Sequence, residues 1–185
     1  MTVLQMLPDT ELSVHVEQQS TPTGLAAAVF DSSRREYRYL LTRIWDPTVP
    51  PVVYVMLNPS TADAMTDDAT IRRCRSFAVR EGAGGLIVVN LFALRSADPR
   101  ALTRHPEPVG PVNDAFIRRT VAGAHRVIAA WGAAGVQGGR ADAVTGILRA
   151  RGVTVHCLGR TATGQPRHPL YLPSAAVLEE YGVAA

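Results

Sequence analysis

The chain has 185 residues, 46% of them hydrophobic, and a formal net charge of +3 at pH 7. This length and composition predict one folded domain with a buried core and exclude a disordered protein. The longest apolar runs, such as residues 52–57, are far shorter than the roughly 20 residues that span a bilayer. The N-terminal sequence also lacks the basic region and apolar core of a signal peptide, so we expect a cytoplasmic protein without membrane association.

The cysteines and the basic residues set further limits on function. Cys74 and Cys157 are the two cysteines, and no C-x-x-C pair occurs. A four-thiolate zinc or iron–sulfur site within one chain is therefore excluded, and we expect both thiols to be small buried groups. All 19 basic residues are arginines, which reflects either a GC-rich genome or a use in phosphate contacts. The modest net charge permits contact with nucleic acid without requiring it.

The first part of the chain predicts antiparallel strands. Residues 1–22 are polar and mixed, and predict an arm or an edge strand before a single α/β domain at residues 23–185. Residues 25–30 and 36–45 are β-like, the second with alternating tyrosines, and predict a hairpin. Prolines within residues 47–51 then break the chain.

From residue 52 onward, short apolar strands alternate with helices. We predict strands at residues 52–57, 86–91, 126–131 and 153–158, and helices at 68–80, near 112–123, near 137–150 and at roughly 174–181. This order predicts a three-layer α/β/α sandwich, with a central, mainly parallel four-stranded sheet that the N-terminal antiparallel hairpin extends. Right-handed crossovers bring the carboxyl ends of parallel strands to one edge, where open α/β sheets bind ligands.

Polar or aromatic residues occur where these strands end. Asn58 and Ser60 follow the first parallel strand, Asn90 lies at the end of the second, Trp131 ends the third, and His168 lies in the loop after the fourth. We expect these side chains to gather at one edge of the sheet. Asn58 is equally well explained as a turn former before a proline. Asn90 interrupts an apolar run, and its buried amide requires partners, in a site or in a structural network.

The helix at residues 68–80 begins with two aspartates, Asp67 and Asp68. We expect one of them to cap the helix and the other to face the site as a water-activating base or a metal ligand. No histidine or carboxylate cluster completes a coordination shell, so we expect neither a metal nor another cofactor. Arg72 and Arg73 follow on the same helix, where one is a candidate phosphate contact unless both are simply solvated.

His168 is the histidine with the most distinctive context, because Pro166 and Pro169 stiffen the loop around it. An imidazole suits proton transfer, or a hydrogen bond to a developing anion, near neutral pH. The alternative is an ordinary surface histidine.

Five short strings are typical of one family. Together they resemble the bacterial and phage family catalogued as domain of unknown function 1643, and the likeness covers roughly residues 24–173. The strings are LNPSTAD at 57–63, DDATIRRC at 67–74, VNLFA at 89–93, AWG at 130–132 and PRHPLY at 166–171.

A more distant likeness carries functional implications. An Asn-Pro turn, an Asn on the next strand and a late His-Pro loop, in this order, are similar to the uracil-DNA glycosylase superfamily. This resemblance implies that Asn58 positions a water molecule, that Asn90 reads a base edge, and that the His168 loop stabilises the departing base and inserts into DNA. Ser60 stands where that superfamily has glycine, and Leu170 where it has serine. The iron–sulfur cysteines of some branches are missing.

We therefore expect a protein that recognises a nucleobase or nucleotide and acts as a hydrolase of N-glycosidic bonds. Such cleavage needs an oriented water molecule and a donor aimed at the leaving base. Asn58 or Asp68 would orient the water, and His168 would donate. The expected substrate contacts are Ser60, Arg72, Asn90, Phe92, Trp131 and Arg167, with Asn90 on the base edge and Phe92 or Trp131 stacked on the base.

Other functions remain open from the sequence. The main alternative is a non-catalytic nucleotide- or nucleic-acid-binding module, because an asparagine amide is a poor base. The expected partner in either case is a nucleobase, a nucleotide, or single-stranded or flipped DNA. Phosphoester hydrolysis is a third possibility, but it normally uses a metal cluster that the sequence does not supply.

Overall fold

One mixed sheet organises the protein. The structure is a computed structural model, which describes residues 7–8, 13–21, 24–31 and 34–182. Within these residues, eight strands lie in the order β1-β2-β3-β5-β4-β6-β7-β8. The strands are β1 (Val14–Thr21), β2 (Gly24–Asp31), β3 (Arg38–Ile44), β4 (Val52–Met56), β5 (Gly85–Asn90), β6 (Val127–Ala129), β7 (Val155–Cys157) and β8 (Glu179–Glu180).

The sheet has a parallel part and an antiparallel part. Strands β5, β4, β6 and β7 pair in parallel with one another in this order. Strands β1, β2 and β3 pair antiparallel, β3 joins β5 antiparallel, and β8 is antiparallel to β7. Every residue of β4 and β5 is buried, as expected for apolar, largely β-branched strands that are covered on both faces.

Helices cover both faces of the sheet. Helix α1 (Ala69–Arg80) buries Ile71, Cys74 and Ala78 on one face. On the other face, Phe116 and Ile117 belong to the helix Asn113–Val121. They pack in one hydrophobic cluster with residues of the helix Arg140–Ala150. In the described part of the chain, none of the helices has the length and apolar character needed to cross a membrane. The remaining helices are α2 (Ala101–Arg104), α3 (Asn113–Val121) and α4 (Arg140–Ala150).

The α/β class, the antiparallel hairpin of β2 with β3, and the burial of both cysteines are confirmed. The sheet is larger than the sequence predicted, and most of its strand pairings are antiparallel. One reason is that β1 adds an edge strand from the segment predicted as an arm or an edge strand. Residues 1–6, 9–12 and 22 of that segment lie outside the described residues.

The helix predicted at residues 174–181 is wrong. This segment forms turns and the two-residue strand β8. Its backbone finds partners on the free edge of β7, for example where the amide of Tyr181 donates to the carbonyl of Val155 (2.8 Å). The helix predicted near 137–150 begins only at Arg140, because Gly139 takes the left-handed conformation (φ 68°). A 3₁₀ segment, Ala133–Gly139, precedes it.

The strand order creates a crevice at one edge of the sheet. From β4 the chain crosses through α1 to β5, and it then returns to β6 on the opposite side of β4. The carboxyl ends of β4, β5 and β6 therefore meet at a point where the direction of winding reverses. Open α/β sheets bind ligands at such points.

Candidate functional site

A cavity of about 300 Å³ lies at this carboxyl edge. Its volume is at the lower end of the roughly 300–1,000 Å³ that is typical of small-molecule sites. Six of the nine site residues predicted from the sequence line it, and the charged Arg38 is among the lining residues that were not predicted. The six predicted residues are Asn58, Ser60, Asp68, Asn90, Trp131 and His168.

Asn90 supplies an amide that is buried and free of protein partners. The residue is the last of β5 and is only 2% exposed. Its side chain makes no hydrogen bond with the described residues, and it lines the cavity. The donor and the acceptor of this side chain are therefore available to a ligand.

The sequence left open that Asn90 belongs to a structural hydrogen-bond network. Such a network exists, but it involves the backbone carbonyl of Asn90 and not its side chain. Nδ2 of Asn113, at the start of α3, donates to the carbonyl oxygens of Asn90 (2.9 Å) and Leu91 (3.1 Å). Nε of Arg140, at the start of α4, also donates to the Leu91 carbonyl (2.6 Å) and the guanidinium pairs with Asp114. These buried groups hold the end of β5 in place behind the cavity.

Asn58 combines a structural task with a place on the cavity. Its Nδ2 donates to the carbonyl oxygens of Pro59 (3.0 Å) and Ser96 (2.8 Å), and more weakly to Leu94 (3.4 Å). The amide nitrogen thus ties the turn after β4 to the loop at residues 94–96. The side-chain oxygen has no hydrogen-bond partner in the described part of the chain, so it is the atom left for a ligand or a water molecule.

Asp68, and not Asp67, lines the cavity. One oxygen of Asp68 accepts from the amide of Ile71 (2.8 Å) and caps α1. Asp67 instead pairs with Nε of Arg43 (2.8 Å). The expectation that one aspartate caps the helix while the other faces the site is wrong, because the N-terminus of α1 opens onto the cavity and Asp68 does both.

Arg38 was not predicted as a site residue. It begins β3, is 3% exposed and lines the cavity. Nη1 donates to the carbonyl of Ala62 (2.5 Å), while the buried Nε has no partner among the described residues. Burial lowers the pKa of Arg38 to about 10, and the nearby Asp68 carboxylate opposes this shift. The guanidinium therefore remains charged at neutral pH.

His168 is a half-buried residue whose ring is held in one tautomer. Its Nδ1 accepts from the amide of Leu170 (3.3 Å) at the start of a short 3₁₀ turn, Pro169–Tyr171. Burial lowers the pKa of His168, and the negative charge of Asp68 partly opposes this effect. The ring is therefore neutral at pH 7 with its proton on Nε2, which makes Nε2–H a hydrogen-bond donor.

Trp131 lies two residues after β6 and lines the cavity, with 1% of the residue exposed. Its Nε1 donates to Oε1 of Gln165 (2.8 Å), and its ring meets that of Tyr181 edge to face. These contacts fix the orientation of the indole. The structure arranges no group of three or more His, Cys, Asp or Glu side chains to hold a metal ion, as far as the described residues extend.

Three predicted contacts do not line the cavity. The chain bends after Asn90, and Phe92 turns into the core beneath α3 and α4. Arg72 is exposed because the sheet-facing side of α1 carries Ile71 and Cys74, and its Nη1 donates to the carbonyl of Asp67 (2.5 Å). Arg167 is also exposed, and its Nη2 lies 3.4 Å from the carbonyl of Tyr171.

The fold and the site thus define an α/β protein with a small polar cavity at the carboxyl edge of its parallel strands. A family model described as "Protein of unknown function (DUF1643)" matches residues 38–170. The chain belongs to this family. The matched residues include all seven side chains named above for the cavity. Neither a curated protein nor a solved structure matches the chain.

Proposed function

We propose that the cavity binds a nucleobase joined to a sugar and that the protein hydrolyses the N-glycosidic bond between them. The observation that carries this proposal is the Asn90 amide, which is buried, has no partner among the described residues, and shares a small cavity with Asp68 and His168. A carboxamide offers a donor and an acceptor side by side, as the edge of a nucleobase does.

The reaction needs two groups that act on opposite sides of the bond. In our proposal, the uncapped oxygen of Asp68 accepts a proton from a water molecule whose oxygen bonds to the anomeric carbon. The C–N bond breaks, and its electron pair leaves with the base. Nε2–H of neutral His168 donates a hydrogen bond to that base, which finally takes a proton. The products are a free base and a sugar hydroxyl.

Arg38 and Asn58 have supporting roles in this scheme. The charged guanidinium of Arg38 would donate to a base carbonyl and stabilise negative charge on the leaving group. Asn58 would help to hold the water through its side-chain oxygen, since its nitrogen is used by backbone carbonyls. The flat ring of Trp131 would lie against the base.

The proposal includes a uracil-DNA glycosylase-like arrangement of this three-layer fold. The order of Asn58, Asn90 and the His168 loop around one cavity supports that likeness. The ligand would then be a nucleotide, or a base flipped out of, or carried on, single-stranded DNA. Turnover would take place in the cytoplasm of a bacterial cell.

A non-catalytic nucleotide- or nucleic-acid-binding module is the second candidate. One observation favours it: an oxygen of Asp68 is already used to cap α1. If the carboxylate serves only the helix, the cavity binds a base without activating water.

The test is release of free base from a panel of nucleosides, nucleotides and single-stranded oligonucleotides with common and modified bases, measured by chromatography. We expect the full-length protein to release base from at least one of them. Asp68→Asn should abolish release while the fold is kept, because asparagine also caps helices well. Asp67→Asn is the matched control and should retain release. If the wild-type protein binds a base in calorimetry but releases none, the binding module replaces the hydrolase.

A further inference from the structure

A second, open cleft adjoins the cavity. It is lined by residues just before β3 and in the loops after β4 and β5, and it shares Ser60, Ser96 and Ala97 with the cavity. A ligand that fills the cavity can therefore extend into the cleft past Ser60. The hydroxyl of Ser60 makes no hydrogen bond with any residue that the structure describes.

Arg95 is the prominent charged group of this cleft. Its Nη1 donates to the carbonyl of Arg35 (3.0 Å), while its buried Nε has no partner in the described part of the chain. No carboxylate among the described residues forms an ion pair with it. A guanidinium held in place with unused donors is well suited to bind an anion.

A second arginine lies beside Arg95. The guanidinium groups of Arg35 and Arg95 lie over the same ring, that of Phe30, at 5.4 and 5.2 Å from its centroid. Arg35 forms an ion pair with Glu17, and a carboxylate oxygen of Glu36, which lines the cleft, lies 3.1 Å from Nε2 of His105. Arg95 thus has no ion-pair partner among the described residues, and its charge also acts on the nearby Asp63 carboxylate.

We infer that Arg95 and Ser60 form a phosphate subsite, so that the ligand is a nucleoside that carries a phosphate group and not a free nucleoside. This inference rests on the proposed function, since it places the base in the cavity. A phosphate on the sugar would lie in the cleft, where Arg95 donates to its oxygens and the Ser60 hydroxyl adds a further donor. The phosphate belongs either to a mononucleotide or to a strand of nucleic acid.

The experiment compares three ligands for each base by calorimetry: the nucleoside, its 5′-monophosphate and a short single-stranded oligonucleotide. We expect the phosphate to raise the affinity by about tenfold or more, as a charge-assisted hydrogen-bond pair does. Arg95→Met, which keeps the contact with Phe30, should remove most of that gain. Arg95→Lys should restore part of it. A gain limited to the monophosphate identifies a mononucleotide ligand, and a larger gain for the oligonucleotide identifies a strand.

Arg104→Met is the matched control, because Arg104 is an exposed arginine of α2 outside the cleft. It should leave the gain from the phosphate unchanged. Equal affinities of nucleoside and nucleotide, or an unchanged gain in Arg95→Met with a wild-type melting temperature, would overturn the subsite and leave the proposed function standing. If no nucleoside, nucleotide or oligonucleotide binds, the proposed function itself fails, and the subsite with it.

Discussion

The Asp68 carboxylate and the His168 ring border the same cavity, and the carboxylate opposes the effect of burial on the ring. Burial disfavours the charged imidazolium, whereas the negative charge of Asp68 favours it. Burial is the larger effect, so the pKa of His168 is lowered. The balance matters for the site because the neutral ring lets Nδ1 accept from the Leu170 amide while Nε2–H remains the donor towards the cavity.

The first prediction concerns this balance. Asp68→Asn should lower the pKa of His168 further, because it removes the charge that partly offsets burial. The measurement is a proton NMR titration of the His168 ring in the wild type and the variant. Asp67→Asn is the control and should leave the ring's titration unchanged, since Asp67 is turned towards Arg43. A rise in the pKa on loss of the Asp68 charge would contradict the arrangement.

A second prediction concerns stability against pH. Because the pKa of His168 is lower in the folded than in the unfolded chain, the unfolded chain binds more protons as the pH falls through the ordinary histidine range. The free energy of unfolding should therefore be highest above about pH 6.5 and fall below it. Urea unfolding at several pH values measures this. His168→Gln should show a shallower loss than the wild type, and an equal slope in both proteins would assign the loss to other groups.

Much of the fold follows from local sequence patterns, but some of the site does not. The period-2 pattern of Tyr37 and Tyr39 predicts a half-buried strand, which normally sends the intervening Arg38 into solvent. Here α1 covers that face of the sheet, and Arg38 is buried beside its N-terminus. The strand pattern cannot reveal this, because the covering helix begins some thirty residues later in the chain.

Two predictions from the sequence, Phe92 as a site residue and a helix at residues 174–181, were wrong for similar non-local reasons. Phe92 follows Asn90 by two residues, so a continued strand would carry both side chains on one face. The strand ends at Asn90, and the bend turns Phe92 to the opposite core. The segment predicted as a final helix pairs with β7 because that strand offers a free edge, which no pattern within residues 174–181 indicates.

The third prediction separates two buried asparagines. Asn90→Leu should change the free energy of unfolding by less than about 1 kcal/mol or raise it, because the amide has no partner to lose. It should also abolish base binding. Asn113→Leu should instead lower the free energy of unfolding by about 1–3 kcal/mol, since it leaves the carbonyls of Asn90 and Leu91 without this donor.

Chemical denaturation and calorimetry of the two variants provide the comparison. The two substitutions are identical in chemistry and differ only in the contacts of the residue replaced. If Asn90→Leu is the more destabilising of the pair, the Asn90 amide is part of the structural framework and is not a ligand-binding group.

The fourth prediction contrasts two buried arginines. Arg43 uses Nε, Nη1 and Nη2 in bonds to Asp67, Thr42 and Asp63, whereas Arg38 has an unpartnered Nε and faces the cavity. Arg43→Met should lower the free energy of unfolding by about 1–3 kcal/mol, because it removes a partly buried ion pair and two hydrogen bonds to backbone carbonyls. Arg38→Met should have a much smaller effect on stability and should weaken ligand affinity by about tenfold or more.

Unfolding curves and titrations with the best ligand of the panel measure both quantities. Arg38→Met with wild-type affinity would remove Arg38 from the site. If Arg38→Met loses as much stability as Arg43→Met, the main role of Arg38 is in the fold.

The last prediction distinguishes a catalytic from a structural loss of activity. Removal of one donor aimed at a developing anion costs about 10²–10³ in rate. His168→Ala should therefore reduce the rate of base release by this factor at nearly unchanged stability, since His168 lies in a loop and its side chain accepts one backbone hydrogen bond.

Asn58→Ala should also reduce release, but together with a lower free energy of unfolding, because its nitrogen ties the turn after β4 to the carbonyls of Pro59 and Ser96. Added imidazole should restore part of the activity of His168→Ala by supplying a donor to the vacated space, and it should not restore that of Asn58→Ala. If His168→Ala releases base at the wild-type rate, the ring only lines the cavity and another group must stabilise the leaving base.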